Sequence, residues 1–127
     1  MIRRKEIRVA WRDPIAMGTM VDERETAMKI IERMIQRQKL GTELDLEKEK
    51  EWNAVESRAG FPPNRVLRCI AGELEYKDVI IEREWESMAA MEAAYERVMR
   101  DPEWQALMSE VSDTVDGARF EHYTQIA

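Results

Sequence analysis

Val79–Pro102 reads VIIEREWESMAAMEAAYERVMRDP. Its first seven residues are β-branched, apolar and charged in the manner of a strand. Met88, Met91, Tyr95, Val98 and Met99 then recur at three- and four-residue spacing, which is one face of a helix. Ser87 stands where an N-cap belongs. Asp101-Pro102 predicts a helix restart, with Asp as cap and Pro in the first helical position. Trp104, Leu107, Met108, Val111 and Val115 extend the apolar face, and Gly117 is the expected stop.

Outward from this stretch, Ala118–Ile126 predicts a final strand. Upstream, 65–73 and 75–85 predict two strands joined near Gly72–Tyr76. Phe61-Pro62-Pro63-Asn64 is a firm breaker before them. Residues 42–59 predict a helix with Leu44, Leu46, Trp52, Val55 and Ala59 as its apolar stripe. The charge run Glu47–Glu51 reads as its solvated side. Residues 22–40 predict another helix, from Asp22 to Gly41, carried by Ala27, Met28, Ile31, Met34 and Ile35. Residues 2–12 alternate as a strand, with Ile7, Val9 and Trp11 on one side, ended by Asp13-Pro14.

The order strand, helix in two pieces, strand, strand, helix, strand is the βαββαβ pattern of a ferredoxin-like α+β fold. It predicts one domain over 1–127 with an extended first helical region at 22–59. Its four-stranded antiparallel sheet has spatial order 4-1-3-2 and helices on one face. Alternation puts Ile7, Val9, Trp11, Leu67, Cys69, Ala71, Val79, Ile81, Arg83, Trp85, Phe120 and His122 toward the helices. It puts Arg8, Arg12, Val66, Arg68, Ile70, Ile80, Glu82, Glu84, Glu121 and Tyr123 on the open face. Arginines and glutamates there form cross-strand pairs, and the apolar remainder marks an interface. The expectation is a homodimer whose contact includes Arg8, Arg68, Ile80, Glu82, Glu84, Glu121 and Tyr123.

Composition narrows the function classes. The chain has 127 residues, 44% hydrophobic and 36% charged, with net charge -6. An acidic chain is a poor partner for phosphate backbones, so nucleic acid is not expected. No apolar run approaches the roughly 18 residues of a membrane span, and the N-terminus lacks the apolar core of a signal peptide. A single cysteine, Cys69, excludes an internal disulfide and fits a cytoplasmic setting. One histidine, His122, with scattered carboxylates gives no metal-ligand spacing. Neither a phosphate loop nor a G-x-S-x-G turn is present. No cofactor is expected.

The strand VIIEREW, Ser87, the Asp101-Pro102-Glu103-Trp104 step, the last strand and the upstream RVLRCIAGEL together resemble the dimeric α+β barrel superfamily, specifically its NIPSNAP-like members. The resemblance implies a homodimer in which two sheets close a barrel. It also implies, for some relatives, a small-molecule cavity between sheet and helices. The superfamily includes quinone-forming monooxygenases, haem-degrading enzymes and muconolactone isomerases. The fold therefore does not choose a chemistry. Haem-degrading relatives place a histidine on the helix after the first strand, and this sequence has none there.

Nine methionines and four tryptophans suit an adaptable apolar cavity. The candidate ligand-binding residues are Arg83, His122, Tyr95, Trp11 and Trp85. Arg83 is the oddest, a guanidinium in register with Val79, Ile81 and Trp85. It needs a carboxylate, a ligand or a route to water. Two functional readings follow. One is binding of a small apolar molecule under the helices, extended in an enzyme to cofactor-independent oxygenation. The other is a non-enzymatic homodimeric module presenting the acidic 42–59 helix.

Overall fold

The computed structural model describes residues 28–127. The elements are β1 (Ile30–Gln38), α1 (Leu46–Arg58), β2 (Asn64–Arg68), β3 (Asp78–Trp85), α2 (Met88–Met99), α3 (Pro102–Val111) and β4 (Val115–Thr124). The four strands form one antiparallel sheet in the order β2-β3-β1-β4. This is the expected ferredoxin-like arrangement, with β1 and β3 central.

The helices begin where their caps allow. The Asp45 carboxylate accepts from the Glu47 and Lys48 amides at 3.0 and 3.2 Å. Ser87 Oγ accepts from the Ala90 amide at 3.0 Å, and Asp101 from the Glu103 amide at 2.9 Å with Pro102 opening α3. Gly60 ends α1 in the left-handed region at φ 96°. A Cβ there would lie 2.7 Å from Arg97 Nη2, and Arg97 Nε donates to the Ala59 carbonyl at 2.8 Å. Glycine therefore serves both the backbone angle and this close approach.

The core lies between sheet and helices and is built on Trp85, Tyr95, Met91, Val55, Val79 and Val98, all essentially inaccessible. Phe61, from the turn after α1, packs against Trp85 and Tyr95 with ring centroids 4.9 Å away in each case. Trp104 is buried, and meets Trp52 edge to face at 6.3 Å.

Several expectations need correction. The first strand of the sheet is Ile30–Gln38, inside the stretch read as a helix over 22–40; the helical region shrinks to Leu46–Arg58. The predicted strand at 2–12, with Arg8 and Trp11, lies outside the described residues. Ile30, Ile31, Met34 and Ile35 look helical by spacing. They belong instead to a central strand with apolar side chains on both faces, which hides the period of two. The helix after Trp104 ends at Val111, so Gly117 stands inside β4. Strand β2 ends at Arg68, so Cys69 and Ala71 are not sheet residues.

Register also reverses the faces of β2. Val66 pairs with Ile81 and Arg68 with Val79, so Arg68 is on the helix side of the sheet and not on the open face. Arg65 and Leu67 take the open face, opposite Glu82 and Ile80. A one-residue slip in register flips every side chain. Elsewhere on the open face the expected kind of pairing holds with different arginines. Glu82 accepts from Arg33 Nε at 2.6 Å and from Arg65. Burial raises the Glu82 carboxyl, and the Arg65 and Arg33 hydrogen bonds outweigh it, leaving it below its usual range. Glu84 pairs with Lys29, Tyr123 Oη donates to Glu121, and Arg33 lies over the Tyr123 ring.

Candidate functional site

Alternation along β1 points Ile30, Glu32, Met34, Gln36 and Gln38 toward the helices. Three of the five are polar, an unusual load for the buried face of a central strand. The two ends of this row have different surroundings.

At the first end, Glu32 is 3% exposed. Its Oε1 accepts from Trp85 Nε1 at 3.3 Å, and its Oε2 accepts from Tyr95 Oη at 2.9 Å. His122 Nε2 lies 3.2 Å from the same Oε2, so an Nε2–H tautomer completes the set. Strand pairing sets this geometry, since Glu32 stands opposite Arg83 on β3 and His122 on β4. Burial, and then the Glu32 charge, hold the Tyr95 phenol well above its ordinary range, so it acts as a donor. The His122 ring stacks on Phe120.

Arg83 occupies the neighbouring position and is 6% exposed. Its Nη2 donates to Glu56 Oε1 at 3.0 Å, and its guanidinium lies over the Phe61 ring. Burial drives the Glu56 carboxyl upward against the pull of Arg83. The space beside Arg83, Glu56 and Tyr95 measures about 20 Å³, room for about one water molecule.

At the other end of the row, Gln36 and Gln38 face a cavity of about 330 Å³ between β1, α1 and α3. Leu44, Leu107, Val111 and Val115 give it apolar walls; Trp52 and Glu49 come from α1. Gln36 is 7% exposed and Gln38 5%. Gln36 Nε2 makes one weak contact, with Met34 Sδ at 3.9 Å. Neither amide has an oxygen or nitrogen partner among the described residues. A bulge in the β1–β4 register at Arg37/Gln38 sets Gln38 opposite Val115 at the cavity edge.

Glu49, Trp52 and Glu56 are spaced three and four residues apart on the sheet-facing side of α1. The Glu49 carboxyl has no hydrogen-bond or ion-pair partner among the described residues. Burial, then the nearby Glu56 charge, raises its carboxyl to about 7. The run Glu47–Glu51 is thus only partly a solvated side. Glu47, Lys50 and Glu51 are exposed, while Glu49 turns inward.

Of the expected ligand-binding residues, Arg83, His122, Tyr95 and Trp85 come together around Glu32 and Glu56; Trp11 lies outside the described residues. None of these four lines the 330 Å³ cavity. The residues that do, above all Gln36, Gln38 and Glu49, were not singled out in the sequence. The signal for Glu49 was its spacing from Trp52 and Glu56. The signal for the glutamines was hidden by the helical reading of β1. No group of three or more metal-ligating side chains occurs among the described residues, and no helix there is long and apolar enough to cross a membrane.

The fold can be matched to known structures. A NIPSNAP domain protein from Burkholderia xenovorans superposes with a TM-score of 0.62 at 17% identity, covering 77% of this chain and 95% of that one. A NIPSNAP family protein from Agrobacterium tumefaciens gives 0.59 at 18% identity, covering 78% and 87%. The chain is NIPSNAP-like in fold. A dabb family protein with a ferredoxin-like fold from Mesorhizobium loti gives 0.51 at 17% identity, covering 78% and 99%. No family model matches the sequence, and no curated protein matches it. At these identities the likeness to NIPSNAP proteins concerns the fold, and function rests on the residues of the site.

Proposed function

We propose that this NIPSNAP-like chain is a homodimeric small-molecule-binding protein whose ligand occupies the 330 Å³ cavity at the Gln36–Gln38 end of β1. One observation carries the reading: two glutamine amides, each more than nine-tenths buried, front that cavity without a conventional partner. Neither amide is among the fully enclosed polar atoms that lack a partner, so both stay open to the cavity and to a hydrogen-bonding ligand. A core selected for packing alone would carry Leu or Met at both positions. The volume is at the lower end of ligand pockets, roughly 300–1,000 Å³, and the mixture of apolar wall and few polar groups suits a ligand with an apolar body.

The homodimer is supported by the open face of the sheet. Leu67 and Tyr123 are 38% and 43% exposed, and the half-buried Ile31 and Ile80 share their face by register. A second copy of the same face would cover them, with the Arg33–Glu82–Arg65 cluster fixing register. Oxygenation at Arg83, His122 and Tyr95 is not part of the proposal, because the space that Arg83 and Tyr95 share is about 20 Å³, and the wider groove of about 650 Å³ along Arg83, Glu56 and Phe61 is lined by neither Tyr95 nor His122. The second reading, a packed interaction module, draws on that same end, where Arg83 Nη2 already pairs with Glu56.

Native mass spectrometry of protein freshly purified from its source tests both parts together. The expected result is a dimer mass with an added small molecule that is lost on collisional activation. A bare dimer supports the module, and a monomer at micromolar concentration overturns the dimer.

A further inference from the structure

The cavity's charge identifies the class of ligand. We propose that it takes a small organic cation, an ammonium or amidinium group on a flat apolar body. This rests on the binding reading above. Among the lining side chains, Glu43, Asp45, Glu49, Glu110 and Asp113 are acidic and Lys48 is the basic one. Lys48 is already engaged, by Glu110 at 2.8 Å and Glu51 at 3.2 Å. Asp45 is engaged as the cap of α1. The carboxyl groups of Glu43, Glu49 and Asp113 have no hydrogen-bond or ion-pair partner among the described residues.

An acidic surface alone would be solvated and would specify nothing. Here the acids surround the two buried amides, whose carbonyl oxygens accept from N–H donors. Gln36 and Gln38 therefore offer direction, the unpaired carboxyl groups offer charge, and the Trp52 ring offers a π surface for a cation. Leu107 and Val111 receive the apolar body. An anion would meet its own sign on every side, with no uncommitted cation in the lining to hold it.

Glu49 makes the site responsive to pH. It faces Asp45 and Glu56 on its own helix, Arg83 on β3, Glu32 on β1 across the small void, and Glu110 and Asp113 across the cavity. With its carboxyl raised to about 7, it is mostly neutral at pH 6 and mostly ionised at pH 8. A bound cation favours the ionised form, so affinity rises with pH and binding near pH 7 releases protons.

Isothermal titration of the full chain with benzylamine, benzyl alcohol and benzoate compares three probes of similar shape that differ in charge. Benzylamine is expected to bind, with affinity increasing about tenfold from pH 6 to pH 8 as Glu49 ionises. Glu49→Gln is expected to bind it with no such pH dependence, and benzoate is expected not to bind. Benzoate or benzyl alcohol binding as tightly as benzylamine overturns the cation assignment. If Gln38→Leu then abolishes that binding, the cavity itself still stands as the site. Failure of all three probes also overturns the assignment, while ligand retained in native mass spectrometry decides the binding reading separately.

Discussion

The two ends of the buried face of β1 carry similar polar side chains and treat them oppositely. Around Glu32 every carboxylate oxygen is met by a donor, and aromatic rings fill the remaining space. Around Gln36 and Gln38 the amides face open volume. Polarity inside a core therefore has two meanings. Where partners are built in, it fixes a unique arrangement of strands and helices. Where they are missing, the amides are left to whatever fills the cavity, and a ligand can bond them.

Substitutions at the two ends should separate these meanings. Glu32→Ala leaves Tyr95, Trp85 and His122 as buried donors without their acceptor. It should lower unfolding free energy by about 3–5 kcal/mol, measured by urea denaturation. A loss below about 1 kcal/mol would show that the closed end is not closed. A smaller effect is expected where the two ends approach each other, at Glu49. A carboxyl raised by folding contributes stability at low pH and loses it as pH climbs from the unfolded value toward about 7. Glu49→Gln should therefore match the parent near pH 4 and exceed it at pH 8. About 1–2 kcal/mol is expected, reduced from the full shift by the site's partial contact with water. Equal stability of the two proteins at pH 8 would mean that Glu49 is fully solvated. The smallest effect should come from the open end. Gln38→Leu removes an amide that bonds no other described residue and faces the cavity, so stability should change by about 0.5 kcal/mol or less, or rise. A loss of 2 kcal/mol or more would reveal a partner and erase the contrast.

The sequence made the second half of the fold legible because its signals are local. Ser87 and Asp101-Pro102 are caps that work through neighbouring amides, and Val79–Trp85 is a strand by composition as well as by pattern. Even the topology followed, since the order of elements survives a misplaced first strand. The first strand itself was obscured by its own chemistry. A central strand with Ile31 and Ile35 on one face and Ile30 and Met34 on the other shows no clean alternation. Glu32, Gln36 and Gln38 on the inner face weaken it further. Gln36 and Gln38 are also the strand's contribution to the site, so one cause hid both. Arg83 was recognisable as anomalous from register alone, but its partner Glu56 comes from α1, and no local pattern connects them. The reversed face of β2 was equally out of reach, because its register depends on how the chain leaves Pro62-Pro63.

The position of β1 also governs how the chain comes together. It bonds to β3 on one side and to the final strand on the other. Its Glu32 meets a histidine 90 residues further along, and its Arg33 a glutamate 49 residues along. Such separations make loop closure costly and place this chain among slower-folding topologies. During synthesis, the Glu32 carboxylate stays without its full set of donors until His122 has left the ribosome. An intermediate lacking β4 would present the long edge of β1, with its unpaired amides and carbonyls, to any other strand nearby. Completing the last strand thus removes the most aggregation-prone surface of the nascent protein.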